Sequence, residues 1–320
     1  MVDIDLGGLA GGDASGDTSG KVGNASSKPP DLKPARLLLL CADDFGLTRG
    51  IDEAIAKLVR AGRLSAFSCL TNGPAWRHDG PKVAKLRGQS QAGLHFNLTE
   101  GRPLSPALAR HWPQMPSLPR LLLAAHARRL PSAALADELA AQWRVFEQIS
   151  GHAPDFIDGH QHVHHLPGVR DLVLGWARAR GLPVRSTAHV AGPGSAIKRW
   201  LIEHTGGRTL ARSLVQRGLP HNRLLLGAYD FVATDYRALM QAWLALVPVD
   251  GALLFCHPGQ ATRAGAKGVA VEAHDGIAAA RTRELAYLAG PDFRLDLAAA
   301  GVELAAVWPT SSRAPHSASR

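Results

Sequence analysis

The chain has only three cysteines in 320 residues, and aromatic residues make up 6% of it. An odd number of widely spaced cysteines, mostly inside apolar runs, argues against a disulfide framework. We therefore expect Cys41, Cys69 and Cys256 to be small buried residues in a reducing cytoplasm. Cys41 and Cys256 lie at the ends of predicted strands close to polar residues, so a nucleophilic role is the alternative. With so few aromatics, the core must consist largely of Leu, Ala and Val.

Long apolar runs and a secretory signal are also lacking. No apolar run approaches the roughly 20 residues that span a bilayer, and the longest one covers residues 37–42. The first 33 residues are rich in Gly, Ser, Asp and Ala and have no basic start followed by an apolar stretch. Composition predicts disordered tails at 1–33 and 309–320, on either side of one folded domain at 34–308. We expect a cytoplasmic protein that does not insert stably into a membrane.

Charge is plentiful but scattered, with a net value of +9 at pH 7. Such a basic chain could bind nucleic acid or a membrane surface. The arginines are spread mainly through residues 110–129 and 198–223, and no block of basic residues alternates with aromatic ones. We therefore expect an arginine-rich solvated surface and no nucleic-acid partner, with a binding stripe as the alternative.

The sequence does contain an alternation of strand and helix patterns. Continuous apolar runs predict buried strands, and apolar residues spaced by three and four predict amphipathic helices. The predicted strands are 36–41, 64–70, 91–96, 155–157, 252–256 and 302–307, with 183–185 extended, and the predicted helices are 50–61, 132–149, 169–180, 235–246 and 275–288. This order predicts an α/β fold, an irregular (β/α) barrel with mainly parallel strands in a single domain. The Pro-rich residues 102–119 and the basic, loop-rich residues 188–227 interrupt the alternation, and both are predicted to be insertions of the kind that often shape a substrate cleft.

Polar residues follow four of these strands. Asp43 and Asp44 follow the first, His95 the third, a histidine-rich run from Asp158 the fourth, and His257 a late one. Because the carboxyl ends of parallel strands meet on one face, we expect these side chains to converge. One carboxylate and two imidazoles suit a divalent transition metal. A second carboxylate can then act as general base and a histidine as general acid.

Each motif also has a structural explanation. Two aspartates after a strand often form a turn or a helix cap, and a single histidine such as His95 or His257 is often a hydrogen-bonded structural residue. The histidine-rich run is harder to explain in this way, because four of its six residues from 160 to 165 are histidines. A period of two would put His160, His162 and His164 on one side of an extended stretch. His78, Asp79, His189 and His274 are predicted to be surface or turn residues.

Three motifs together resemble those of the YdjC-like carbohydrate deacetylase family. They are Ala-Asp-Asp-Phe-Gly-Leu at 42–47, Gly-Leu-His-Phe-Asn-Leu-Thr-Glu-Gly at 93–101 and Asp-Gly-His-Gln-His-Val-His at 158–164. Asn72-Gly73 and His257-Pro258-Gly259 match the family as well. The family includes chito-oligosaccharide deacetylases and a deacetylase of hopanoid biosynthesis, and the resemblance runs in matching order through residues 36–260.

The resemblance implies an irregular (β/α) barrel that hydrolyses the N-acetyl group of a small amino-sugar substrate. It implies a divalent cation, usually described as Mg²⁺, with Zn²⁺ suggested by other deacetylases. Asp44, His95 and His160 would bind the metal. Asp43 would be the general base, and His257 would be the general acid or would hold the leaving amine.

The resemblance leaves other matters open. His162, His164, Asn97 and Arg185 would support the metal ligands or contact substrate, although Arg185 could equally be a turn residue. Residues 188–227 match no family motif, so the sugar cannot be transferred, and a homodimer is only an expectation. The alternatives are a metal-dependent amide hydrolase acting on a non-sugar substrate and a non-catalytic carbohydrate-binding protein.

Overall fold

The computed structural model describes residues 36–260, 275–305 and 308. The predicted tails at 1–33 and 309–320 and the prediction for His274 lie outside the described residues. Among the residues described, no helix is both long enough and apolar enough to cross a membrane.

A parallel sheet forms the centre of the fold. Its strands are β1 (Arg36–Phe45), β2 (Ala66–Cys69), β3 (Gln91–Phe96), β4 (Ile157–Gly159), β5 (Leu225–Leu226), β6 (Ala252–Cys256) and β7 (Val302–Leu304). Their order is β4-β3-β2-β1-β6-β5, and β7 pairs in parallel with residues 36–38 of β1. β1 is buried from Leu38 onward. Because a strand covered on both faces needs apolar side chains on both, it appears in the sequence as a continuous apolar run.

Residues 183–191 join the two edges of this sheet. The backbone of Val184 pairs with Ile157 in β4, and that of Val190 pairs with Leu225 in β5. One irregular segment thus bridges a curled sheet that is parallel in every strand pair. The prediction of an irregular (β/α) barrel with mainly parallel strands is confirmed.

Helices surround the sheet at the predicted positions and at several others. They are α1 (Arg49–Arg60), α2 (Trp76–Asp79), α3 (Lys82–Leu86), α4 (Pro106–His111), α5 (Leu118–His126), α6 (Ser132–Ser150), α7 (Arg170–Arg180), α8 (Ala196–Ile202), α9 (Arg208–Gln216), α10 (Tyr236–Leu246), α11 (Ala278–Ala289) and α12 (Asp292–Ala300). In α1, Ile51, Ile55 and Leu58 are buried against the sheet, and the Thr48 side chain accepts a hydrogen bond from the Ile51 backbone N–H at the start of the helix.

The prediction that residues 188–227 are loop-rich is wrong, and the Pro-rich insertion at 102–119 is partly helical as well. The Pro-rich segment contains α4 and the start of α5, and the basic segment contains α8, a π turn at Glu203–Gly207 and α9. Pro106 and Pro119 lie in the first turns of α4 and α5, where a proline starts a helix rather than breaking it. In α9, Leu210 and Leu214 are fully buried one turn apart, a short pattern that the surrounding arginines obscure in the sequence.

Gly93 allows β3 to pass directly over a buried aromatic ring. A Cβ atom at this position would lie 2.3 Å from Cε2 of Phe156, and Phe156 is itself fully buried. We expect Gly93→Ala to lower the free energy of unfolding by about 1–3 kcal/mol, because the core must shift to admit the methyl group. Urea denaturation of the purified protein measures this change.

Gly175 provides the matched control. It is an exposed residue of α7 whose Cβ would meet no atom within 4 Å, so Gly175→Ala should raise the free energy of unfolding by about 0.5–1 kcal/mol. A Gly93→Ala protein as stable as the unmodified chain would contradict the close approach of β3 to Phe156.

Candidate active site

The carboxyl ends of β1, β3, β4 and β6 converge on one cavity of about 550 Å³. Asp43, Asp44, His95, His160 and His257 all line it. The predicted convergence of polar residues that are far apart in the sequence therefore occurs in the fold.

A bulge in β1 lets two adjacent aspartates reach the same cavity. Successive side chains of a regular strand point to opposite faces, but the pairing of β1 with β2 shifts register between Ala42 and Phe45. Asp44 adopts a φ of 73°, which is unusual for a residue other than glycine. The bulge turns the Asp44 side chain toward the cavity beside that of Asp43. β1 includes both aspartates rather than ending at Cys41 as predicted.

Asp44, His95 and His160 form a group that could hold a metal ion, with one possible ligand atom from each residue lying within 4.8 Å of the others. Oδ1 of Asp44 lies 3.0 Å from Nδ1 of His160 and 3.6 Å from Nε2 of His95. Donor atoms at about 2.1 Å from one ion and at ordinary coordination angles are about 3.0–3.4 Å apart. Both the spacing and the donor chemistry of this group therefore fit a divalent cation.

Hydrogen bonds behind this group fix the orientation of its members. Nδ1 of His95 lies 2.6 Å from Oδ1 of Asp158, so its Nε2 faces Asp44, as in carboxylate–histidine–metal arrangements. Nη2 of Arg281 donates to Oδ2 of Asp44 at 2.7 Å, and Nε of Arg281 donates to Asp275 at 2.8 Å. One oxygen of Asp44 is therefore held by an arginine while the other faces the two histidines.

Asp44 and His160 form a charged pair in the metal-free protein. Burial alone would raise the pKa of Asp44, but Arg281 and His160 outweigh it and hold this pKa well below its usual value. Burial would lower the pKa of His160, but Asp44 and Glu100 raise it to about 9. A proton on His160 therefore occupies part of the place where a cation would bind, and metal binding would release it.

Asp43 is held by a buried arginine. Arg185 donates from Nη1 to Oδ2 of Asp43 at 2.7 Å and from Nη2 to Oδ1 at 2.6 Å, and its Nη2 lies 2.5 Å from Oδ2 of Asp158. Burial tends to raise the pKa of Asp43, but the charge and hydrogen bonds of Arg185 hold it below its usual value. Cys41, Asp43 and Asp158 also have metal-ligand spacing, but the guanidinium of Arg185 already supplies their positive charge.

Arg185 is accordingly neither a turn residue nor a residue of the cavity lining. It is fully buried, and it lies on the segment that joins the two edges of the sheet. The turn interpretation of Arg185 is wrong. An arginine can be buried in this way only beside carboxylate partners, and the fold, not the local sequence, brings those partners to Arg185.

The histidine-rich run is not an extended stretch, so its histidines do not share one side. His160–His165 forms a 3₁₀ turn in which Gln161 and His162 have φ values of 51° and 62°. The turn separates the three histidines: His160 contacts Asp44, His162 packs edge-on against Phe255 in the cavity wall, and Nε2 of His164 lies 2.9 Å from the carbonyl oxygen of Arg185. Only His160 joins Asp44 and His95.

His257 follows β6 and lies in the cavity wall between two aromatic rings. The centroids of Phe231 and Phe255 are 5.2 Å and 5.6 Å from that of its imidazole. Burial lowers the pKa of His257 to about 3, and the nearby Asp44 and Asp43 oppose this shift only in part. His257 is therefore neutral at neutral pH, and among the described residues its Nδ1 has no hydrogen-bond partner.

Asn97 shapes a loop rather than facing the cavity. Its Oδ1 accepts hydrogen bonds from the backbone N–H groups of Thr99 and Glu100, and its Nδ2 donates to Asn72. This network positions Glu100, which does line the cavity. Asn97 thus supports the site indirectly.

Several residues of the site were missed in the sequence or assigned no role, namely Ser68, Glu100, Asp158, Asp275, Arg281 and Glu284. Ser68 donates to Asp43 at 3.0 Å, and Glu284 accepts a hydrogen bond from the backbone N–H of His257. Arg281 and Glu284 are three residues apart in α11, so helical spacing could have indicated a polar inner face. Ser68 gives no comparable signal.

Two further predictions have clear outcomes. Cys41, Cys69 and Cys256 are buried free thiols, as predicted, and burial raises the pKa of each well above its usual value. The prediction that Asp79 is a surface residue is wrong, because it is fully buried and paired with Lys82 at 2.7 Å. His78 and His189 are exposed as predicted.

The comparison with protein families agrees with this geometry. A family model described as YdjC-like protein matches residues 37–299. The chain belongs to the YdjC-like family. The region matched begins with β1 and ends in α12, so it includes every member of the Asp44–His95–His160 group.

Individual relatives extend this finding. A mouse protein named carbohydrate deacetylase is 32% identical over 88% of this YdjC-like chain and 97% of its own length. A Klebsiella pneumoniae protein named chitooligosaccharide deacetylase is 34% identical over 49% of the chain, and the match spans 61% of that relative. A crystal structure from Enterococcus faecalis, described as a cellobiose-phosphate cleavage protein, has a TM-score of 0.65 at 20% identity and covers 85% of the chain and 97% of its own. It shares the fold.

The ion pair between Arg185 and Asp43 gives a stability prediction. We expect Arg185→Met to lower the free energy of unfolding by about 3–5 kcal/mol at neutral pH, because Asp43 and Asp158 would remain buried without a partner. The pKa of Asp43 is lowered in the folded protein, so its pairing adds stability above its usual pKa and loses it as the pH falls below that value. The difference between the two proteins should therefore shrink in acid.

Arg237→Met is the matched control, because Arg237 also pairs with two aspartates, Asp292 and Asp296, but remains partly exposed. Its loss should have a much smaller effect. Urea denaturation at several pH values measures both variants, and equal losses would contradict the central role of Arg185.

Proposed function

We propose that this YdjC-like protein is a metal-dependent deacetylase that hydrolyses the N-acetyl group of an amino sugar to the free amine and acetate. The observation that carries the proposal is the convergence of Asp44, His95 and His160 beside Asp43 in one cavity. The names of the mouse and Klebsiella relatives support a carbohydrate substrate.

The three-residue group would hold the metal through one carboxylate oxygen and two imidazole nitrogens. A bound divalent cation would polarise the acetyl carbonyl and lower the pKa of a bound water. Two nitrogen donors favour Zn²⁺ or another transition metal over Mg²⁺, which prefers oxygen ligands. Magnesium remains the expectation from the family resemblance, and a titration with both metals separates the two.

Asp43 would act as the general base. Arg185 keeps it ionised and fixes both of its oxygens, and Ser68 donates to one of them. A lowered pKa makes a carboxylate a weaker base, so Asp43 depends on a water that is already acidified. The same contacts hold its carboxylate rigidly at the cavity wall, where orientation adds to the rate.

His257 would interact with the leaving amine. Because its pKa is lowered to about 3, it begins the reaction neutral and can donate a proton to the amine only after it has gained one. The proton that Asp43 removes from water is the nearest source. The rings of Phe231 and Phe255 pack nearly perpendicular to the His257 imidazole and hold it at the cavity wall.

The rest of the cavity suits a ring with both polar and apolar faces. Glu100, Thr48 and Lys198 supply polar groups, and Phe231 and Phe255 supply aromatic ones. Lys198 donates to the carbonyl oxygen of Tyr229 at 2.8 Å, and burial lowers its pKa to about 8. A cytoplasmic location and a homodimer remain predictions from the sequence.

Metal content and turnover should respond differently to substitutions at the site. We expect His95→Ala and His160→Ala to lose bound metal and activity together, because each removes a proposed ligand. Asp43→Asn should retain metal and lose about 10²–10⁴-fold in kcat, because the amide cannot accept the proton from water. Elemental analysis and a rate assay on the same samples measure both. Normal metal content in both histidine variants would refute the ligand assignment.

The substrate class is tested by acetate release. We expect the protein reconstituted with Zn²⁺, Mn²⁺, Co²⁺ or Mg²⁺ to release acetate from N-acetylglucosamine oligomers or lipid-linked N-acetylglucosamine, and Asp43→Asn to release it at least about 10²-fold more slowly. Activity confined to small non-sugar acetamides would favour the amide hydrolase alternative. Sugar binding without acetate release under any metal would favour a carbohydrate-binding protein.

A further inference from the structure

We propose that the rim of the cavity is a docking surface for anionic lipid bilayers. This apolar rim consists of Leu123 on α5 and of Ile197, Trp200 and Leu201 on α8. α8 belongs to the segment 188–227 that the sequence pattern predicted to be loop-rich, and α5 begins at the end of the Pro-rich segment 102–119. The inference concerns the outer surface of these helices and is independent of the residues assigned to catalysis.

Both helices border the same cavity. Leu118 and Leu122 of α5 and Leu201 and Ile202 of α8 line its wall. Leu123 follows Leu122 directly but faces outward, with 74% of its surface exposed. An apolar surface on each helix thus continues from the cavity wall to the outside of the molecule.

The outward face of α8 has the form of an interfacial helix. Ile197 and Trp200 are 73% and 57% exposed and lie three residues apart, and Leu201 is both exposed and part of the cavity wall. The inward residues Lys198 and Ile202 line the cavity. Large exposed apolar residues clustered on one surface mark an interaction site, and tryptophan beside aliphatic residues is typical of helices that lie in the membrane interface.

Positive charge is concentrated in the two segments that form this rim. Residues 101–136 contain five arginines and no acidic residue, and residues 188–227 contain six basic residues and one glutamate. Each segment therefore carries a net charge of +5, in a chain whose net charge is +9. The rest of the chain is close to neutral. Arg120 on α5 and Arg199 on α8 lie on the two rim helices themselves, whereas Arg208, Arg217 and Arg223 pair with acidic residues.

This combination favours a bilayer over an acidic polymer. Basic residues attract the anionic lipid surface, and exposed Trp, Ile and Leu gain free energy only where they enter an apolar phase. A polyanion in water would use the arginines and leave these apolar side chains in contact with solvent. Docking in this orientation would bring the opening of the cavity to the lipid surface.

The test is sedimentation of the full chain with vesicles of phosphatidylcholine alone or mixed with phosphatidylglycerol. We expect binding to the mixed vesicles, weaker binding at higher salt, and little binding to phosphatidylcholine alone. The double variant Ile197→Ser/Trp200→Ser should bind about tenfold more weakly. Arg120→Gln/Arg199→Gln should lose about fivefold for each arginine.

The matched control is Leu295→Ser/Arg87→Gln. Leu295 is 61% exposed in α12, which leads into β7, and Arg87 precedes β3, so both lie toward the amino ends of the strands. This variant should bind within about twofold of the unmodified protein. Circular dichroism establishes that every variant is folded.

Three outcomes would overturn the proposal. They are no sedimentation with anionic vesicles, equal losses in the rim and control variants, and binding that depends on Arg120 and Arg199 but not on Ile197 and Trp200. The last outcome would mean that the basic charge acts without the apolar rim, as expected for a surface that binds acidic polymers. His95→Ala should bind vesicles normally although it loses metal and activity. Vesicle binding therefore tests the docking surface, and acetate release tests the deacetylase assignment separately.

Discussion

The guanidinium of Arg185 is the interaction on which both the fold and the site depend. Arg185 lies on the segment that joins the two edges of the sheet, and its side chain binds Asp43 from β1 and Asp158 from β4. Asp158 uses its other oxygen to hold His95. The orientation of the proposed base and that of a proposed metal ligand therefore depend on the same buried cation, and the closure of the barrel brings that cation into place.

Charge balance explains why this buried network suits a divalent ion. Asp43, Asp44 and Asp158 bring three carboxylates into the interior, whereas Arg185 and Arg281 bring two permanent positive charges. Buried charges are tolerated only when they are paired, and Arg281 is shared with Asp275, so the carboxylates of this network outnumber its arginines. Asp44 and Glu100 raise the pKa of His160 to about 9 despite its burial, so its imidazole holds a proton at neutral pH. A divalent cation bound to Asp44, His95 and neutral His160 would replace that proton and add one positive charge, which the substrate oxygen or a hydroxide can offset.

Sequence patterns predicted the parts of this arrangement that follow from local rules. The continuous apolar run before Asp43 and the helical periodicity of residues 50–61 gave the first β/α unit, and the meeting of parallel strand ends gave the convergence of distant polar residues. The assignment of Asp44 rather than Asp43 to the metal group came from the family resemblance. The bulge at Asp44 and the 3₁₀ turn after His160 could not be predicted, because tertiary contacts stabilise their positive φ values against local preference. Arg281 was missed and the partners of Arg185 were not predicted for a similar reason, since an arginine's burial depends on carboxylates that are distant in sequence.

The fold separates the chemistry of the site from access to it. The residues proposed for the reaction lie at strand ends, where ion pairs and hydrogen bonds hold their side chains. The helices α5 and α8 lie in two segments between these strands, and they contribute mainly apolar side chains to the cavity wall. No hydrogen bond among the described residues joins these helices directly to the charged network around Asp43 and His95. The helices shape the wall of the cavity, whereas the residues proposed for the reaction lie on the sheet. This is why the strand-end motifs can indicate a deacetylase while leaving the sugar undetermined.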